Sequence, residues 1–378
     1  MSEAVALTRR QMLGLGLGAG LGLAGPALAQ RGGPAPALAL NQPALRAARP
    51  TQAVLQALAR AGQRLVAAGE RGLVIYSDDA GQSWTQARVP VSVTLTALRF
   101  ADARQGWAVG HMGVVLSTED GGASWTRRLD GLSGAALALQ TARGQGGDTA
   151  IEEAQRLVDE GADKPLLDIA LRGDGSLLAV GAYGLAFRSA DGGRSWQSQM
   201  HRLPNPEGLS YYGLAERRGE CLLFGEQGLL LRASSSQDPF AAQASPATGS
   251  LFGALSLREG PLLLLGLRGR LWRSADNGEP WSTVLSHVDA ALVAGTQLSD
   301  GRVLLAGAAG QLLLSHDGGQ HFRPIALRQR FPFTSLVQAA DGTLLLAGMR
   351  GLQRLSPAEL KAALDATPSL IPSRKPHA

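Results

Sequence analysis

Five aspartates sit at one fixed point of a recurring phrase. Asp79 stands in Ser77-x-Asp79-x-Gly81-x-Ser83-Trp84, and Asp120, Asp191, Asp276 and Asp317 occupy the same place in four relatives of that phrase. The aromatic that ends it is Trp84, Trp125, Trp196, Trp281 or Phe322. A carboxylate with hydroxyls two before and four after it has calcium ligation or acid–base work open to it. The spacing favours something more local. An Asp side chain accepts amides of its own turn, the glycine takes positive φ, and the aromatic packs inward. These five aspartates and four tryptophans are therefore expected to build structure.

Other chemistry-bearing residues are scattered. His111, His201, His287, His316, His321 and His377 show no ligand spacing, so neither metal nor cofactor is expected. Cys221 lies in the apolar run 221–224 and is expected to be a buried strand thiol. Glu70, Glu119, Glu152, Glu153 and Glu226 are candidate carboxylates for glycoside chemistry, which needs a pair about 5–10 Å apart. No glycine-rich phosphate loop precedes a helix.

What positions these residues is a repeat. A Gly-x-x-Gly element occurs seven times, beginning at Gly69, Gly110, Gly181, Gly225, Gly266, Gly307 and Gly348. The spacings are 41, 71, 44, 41, 41 and 41 residues. The long gap is one period plus a 30-residue insertion. Short apolar runs flank each element, so each reads as a β-hairpin with a two-residue turn. An alternating run precedes the hairpin, and the aspartate phrase closes a turn into a fourth strand. Four strands in about 41 residues is the size of a propeller blade.

The expected fold is an all-β, seven-bladed propeller over residues 53–355, with a helical insertion at about 133–164. Within the insertion, a capping box at Thr149–Glu152 and the face of Ile151, Ala154, Leu157 and Val158 predict a helix near 148–160. The fourth repeat has a degenerate box at 234–240. The seventh runs out after Leu355, and residues 43–49 are expected to supply its outer strand from the linker 30–52. Residues 356–378 form a tail.

The first 29 residues read as an address: Arg9-Arg10, an apolar glycine-rich stretch, then Pro26-Ala27-Leu28-Ala29. The paired arginines predict twin-arginine export to the periplasm. No later stretch is long and apolar enough to span a bilayer. The formal charge is +5 without a basic run, which argues against nucleic acid as a partner. A monomer is expected.

The repeated hairpins, as at residues 107–113, and phrases such as 117–125 resemble the photosystem II assembly and stability factor family of seven-bladed propellers. The likeness runs over roughly residues 53–355 and points to the non-photosynthetic bacterial branch, with BNR or Asp-box repeats. It implies a chaperone-like scaffold that holds a protein partner during assembly of a membrane complex, in this branch perhaps an envelope transporter. It also implies that an arginine-rich patch serves partner binding. The alternative is a sialidase-like glycosidase or glycan-binding propeller, because those enzymes also carry Asp-boxes. They typically have six blades and an Arg-Ile-Pro segment, which this chain lacks, and its tyrosines number four: Tyr76, Tyr183, Tyr211 and Tyr212.

Propeller geometry places the Gly-x-x-Gly turns together on one face and the box turns on the other. Arg71, Arg268 and Arg350 are the foremost partner-binding candidates on that face, with Tyr183 and His111. The inserted helix and Tyr211-Tyr212 belong to the same side.

Overall fold

A computed structural model describes residues 38–365, with Asn277 and Arg328 excepted. The expected export segment 1–29 and the end of the tail lie outside the described residues. Seven antiparallel meanders follow one another along the chain, six of four strands and one of three. Each first strand packs against the first strand of the next blade, and the seventh packs against the first, so the ring is closed.

The cores lie between blades. Val66, Ala68 and Val74 of blade one meet Leu95, Leu98 and Leu116 of blade two. Leu304, Leu312 and Leu314 of blade six meet Leu336, Leu344 and Leu346 of blade seven. Each middle strand is buried on both sides, which explains the near-continuous apolar runs that precede each Gly-x-x-Gly.

Both glycines of the hairpin are forced by close approach. A Cβ on Gly69 would stand 2.0 Å from the Val54 carbonyl oxygen, and one on Gly72 would stand 2.0 Å from that of Val91. The first glycine lies against the lead-in to its own blade. The second lies against the connector to the next. The first strand answers with a register shift after its opening residue in all seven blades.

The seventh blade closes differently from the expectation. Its sheet ends at the third strand, Gly351–Leu355. Residues 43–49 form no strand there. They run beside blade one, where Ala44 N–H donates to the Val89 carbonyl and Gln86 exchanges side-chain hydrogen bonds with Leu45 and Ala47. Two prolines, Pro43 and Pro50, remove donors that a ladder would need. Helix α1 (Leu38–Asn41) buries Leu40 between blades one and two. The outer part of blade seven is instead covered by a C-terminal helix that begins at Pro357 and buries Leu360 and Leu364.

Between blades two and three stand two helices, α2 (Gly131–Gln145) and α3 (Asp148–Glu160). Sequence reading missed α2, whose small residues give only a faint amphipathic period. It buries Ala135, Ala138 and Ala142 beside Phe187 and Trp196. The capping box belongs to α2 rather than to Thr149: Asp130 and Ser133 cap each other reciprocally, while α3 starts at Gly147 without a side-chain cap.

Candidate functional site

The box turns spend their polar groups on themselves. Asp79 accepts from Ser83 Oγ at 2.5 Å, from Ser77 Oγ at 2.7 Å and from the Ser83 N–H at 2.9 Å. Asp120 and Asp191 repeat this, and Asp317 does so with His321 Nδ1 at 2.6 Å. The Ser195 hydroxyl and N–H, then Ser189, hold the Asp191 carboxyl well below the usual range. Trp84, Trp125 and Trp196 return their indole N–H to their own box glycine. The Asp276 turn departs from the pattern because Pro280 replaces the second hydroxyl. There the Ser274 hydroxyl donates to the Asp276 carbonyl instead.

The same turns staple neighbouring blades. Trp107 Nε1 donates to the Gly192 carbonyl, Arg273 Nε to that of Gly318, and Arg354 Nε to that of Ala80. Blade four has no box, and Arg172 fills the gap. It is buried, pairs with Glu216 at 2.5 Å, donates to the Ser235 carbonyl and lies 5.3 Å from the Phe240 ring centre. Cys221 is fully buried beside this pair, and burial pushes its thiol pKa far up, so it is no nucleophile.

The opposite face is built from the Gly-x-x-Gly turns. In all seven, the N–H after the first glycine donates to the carbonyl that precedes the blade, as Glu70 does to Val54 and Met349 to Pro332. Backbone and glycines are thus consumed by architecture, and what varies is the pair of side chains between them. Arg71, Tyr183 and Arg268 sit at φ of 53°, 56° and 55°, which projects them outward, and all three are exposed. Arg350 is exposed on a turn where Gly351 takes the positive φ instead. His111 is the exception among the candidates: it is half-buried, and burial lowers its pKa, so it is neutral at pH 7.

These residues belong to separate blades and do not converge on one pocket. Arg350 and Arg71 stand on adjoining blades seven and one. Tyr183, on blade three, carries Lys164 at 5.3 Å from its ring centre. The acids of the turns are committed: Glu70 accepts the Val54 N–H and Glu226 the Ser210 N–H. They stand on blades one and four, Glu119 lies on the box face, and Glu152 and Glu153 are on α3, so the five candidate carboxylates are dispersed. Among the described residues no group of three or more His, Cys, Asp or Glu is placed to hold a metal.

Sequence reading missed a belt at the channel mouth. The residue skipped by each register shift is Gln56, Thr96, Leu167, Tyr212, Phe252, Val293 or Thr334. These side chains reach sideways along the inner wall. Thr96 Oγ1 donates to the Leu166 carbonyl of the next blade, and Thr334 Oγ1 to that of Leu55. Tyr212 and Phe252 stack with ring centres 5.4 Å apart. Blades three to six give the belt an apolar arc; blades seven, one and two give it a polar one. The signal was present: Gln56 precedes Gly69 by 13 residues and Thr96 precedes Gly110 by 14, an offset the other copies keep.

A family model for the photosynthesis system II assembly factor YCF48 matches residues 77–151. None of the curated proteins matches the chain by sequence. Among solved structures, YCF48 bound to a D1 peptide is 19% identical, covering 81% of this chain and 93% of its own, with a TM-score of 0.60. YCF48 from Cyanidioschyzon merolae is 16% identical over 82% of this chain and 97% of its own, with a TM-score of 0.61. A streptogramin B lyase is 10% identical over 80% and 93%, with a TM-score of 0.60. The assembly-factor-like propeller read from the repeats is borne out, and the lyase shows that one ring architecture serves unrelated chemistry.

Proposed function

We propose that this propeller, which resembles photosystem II assembly factors, is an exported scaffold that holds a protein partner against its Gly-x-x-Gly face while a membrane-associated complex is assembled. One observation carries the reading. On that face the turn arginines Arg71, Arg268 and Arg350 are exposed, while the turn acids Glu70 and Glu226 are tied to backbone amides. An unopposed guanidinium ring beside an apolar mouth suits an acidic, partly apolar segment of polypeptide. The relative solved with a D1 peptide supports a protein as the partner class. Residues 1–29 would deliver the scaffold to the periplasm by the twin-arginine route.

The test is a pull-down from periplasm with wild-type protein and with Arg71, Arg268 and Arg350 each changed to Glu. The triple variant should fold, since all three side chains are exposed, and should lose the proteins that wild type enriches. Unaltered recovery ends the proposal.

A further inference from the structure

The two faces differ in more than charge. Among the described residues, Tyr183, Leu267 and Met349 are large apolar side chains exposed on Gly-x-x-Gly turns. Leu285, 72% exposed, lies on the connector between blades five and six of the same face. The box turns and first hairpins of the other face carry none of the large exposed apolar residues.

The turns of blades five and seven share one design. Leu267 is 43% exposed and followed by Arg268; Met349 is 50% exposed and followed by Arg350. Blade six, between them, presents Ala308 and Ala309, both exposed and uncharged. Blade one, next in the ring, adds Arg71. On the neighbouring connectors Arg330 is a further cation and Asp289 an opposing carboxylate. The tips occupy equivalent positions in a closed ring and are therefore level with one another. Apolar tips separated by a blade's width and paired with arginines match a flat, deformable surface better than a peptide, which needs a continuous groove.

We infer that the sector from blade five through seven to one rests on an anionic lipid surface. Leu267 and Met349 enter the boundary between headgroups and acyl chains, and Arg268, Arg350 and Arg71 meet lipid phosphates. This goes beyond the scaffold reading, because a bilayer is not a protein partner, although it uses part of the same face. It would present the channel mouth to whatever is assembled at the membrane.

Co-flotation with vesicles tests it. Wild-type protein should float with vesicles of equal phosphatidylglycerol and phosphatidylcholine, and roughly ten-fold less with pure phosphatidylcholine. Leu267→Ser with Met349→Ser should lower binding to the anionic vesicles about ten-fold at unchanged melting temperature, since both side chains are exposed. Wild type that does not float, or a double variant that floats equally, overturns the inference. The same holds if the double variant loses the periplasmic partner and keeps its vesicle binding, which would assign the tips to a protein. Vesicles contain no protein, so failure here leaves the scaffold reading intact, and loss of partner capture alone leaves lipid binding intact.

Discussion

Arg354 donates its Nε hydrogen to the Ala80 carbonyl at 2.9 Å across 274 residues of sequence, and in doing so it ties the last blade to the first box turn. No outer strand is exchanged at this junction. Closure rests on that staple, on the bonds from Thr334 and to Ser335, and on the small core of Leu55, Ala67, Ile75 and Ala347. Arg354→Met should therefore lower stability by about 2 kcal/mol, the value of a hydrogen bond with a charged donor. Equilibrium unfolding in denaturant reads this directly. A midpoint equal to wild type would mean that the inner strands close the ring unaided.

The lead-in segment is expected to matter from Leu40 onward. Leu40 is 3% exposed and Arg127 Nη1 donates to its carbonyl. Leu40→Ala should cost about 2–4 kcal/mol, as for other buried leucines. Thermal melting of the variant beside wild type checks it, and a difference below about 0.5 kcal/mol would contradict burial at this position.

Glycine at the second hairpin position is required by contact as well as by φ. Gly269 has φ of 68°, and a Cβ there would stand 1.8 Å from the Val288 carbonyl oxygen. Gly269→Ala should destabilise by more than about 3 kcal/mol, since left-handed strain and a backbone clash combine. Gly144 in α2 has nothing within 4 Å of its would-be Cβ. Gly144→Ala should stabilise by about 0.5–1 kcal/mol through helix propensity. The pair of melts, moving in opposite directions, is the check.

The box aspartates predict an acid limit. The carboxyl of Asp191 is held well below its ordinary pKa, by Ser195 first. A carboxylate whose folded pKa is depressed contributes stability above its unfolded pKa of about 4, and loses it as pH falls toward the folded value. Melting temperature should thus decline below about pH 4 in wild type. Asp191→Asn should start lower at pH 7 and decline less steeply. Parallel curves for the two proteins would show that the turn does not depend on the charge.

The stacked pair at the channel mouth should contribute to partner capture if the apolar arc receives part of the partner. Phe252→Ala is expected to reduce the proteins recovered in the pull-down by about ten-fold, as for an aromatic anchor of an interface. Full recovery would confine binding to the turn arginines.

The belt shows what kind of information the sequence withheld. Tyr212 was read as part of a connection, and Phe252 attracted no attention, because neither belongs to a motif. Their shared offset from the hairpin glycine is visible in the residues. Its meaning is not, since a skipped residue acquires a role only when seven first strands are bent around a common axis. His111 failed as an exposed candidate for a similar reason. Its turn position is equivalent to that of Leu267, yet half of it is covered by packing that no local pattern records.

The residues themselves determined that there are seven blades, where each hairpin and box turn falls, and that the box aspartates are structural. Those features depend on contacts within about 41 residues, and local turn chemistry suffices to specify them. The tertiary structure decided how the ring closes, which carboxylates are already spoken for, and which turn residues reach solvent. Arg354 and Ala80 meet only because six other blades intervene, and Glu70 yields its charge to Val54 only because the lead-in passes beneath it. Such pairings come from where distant backbone is brought, which no short-range periodicity encodes.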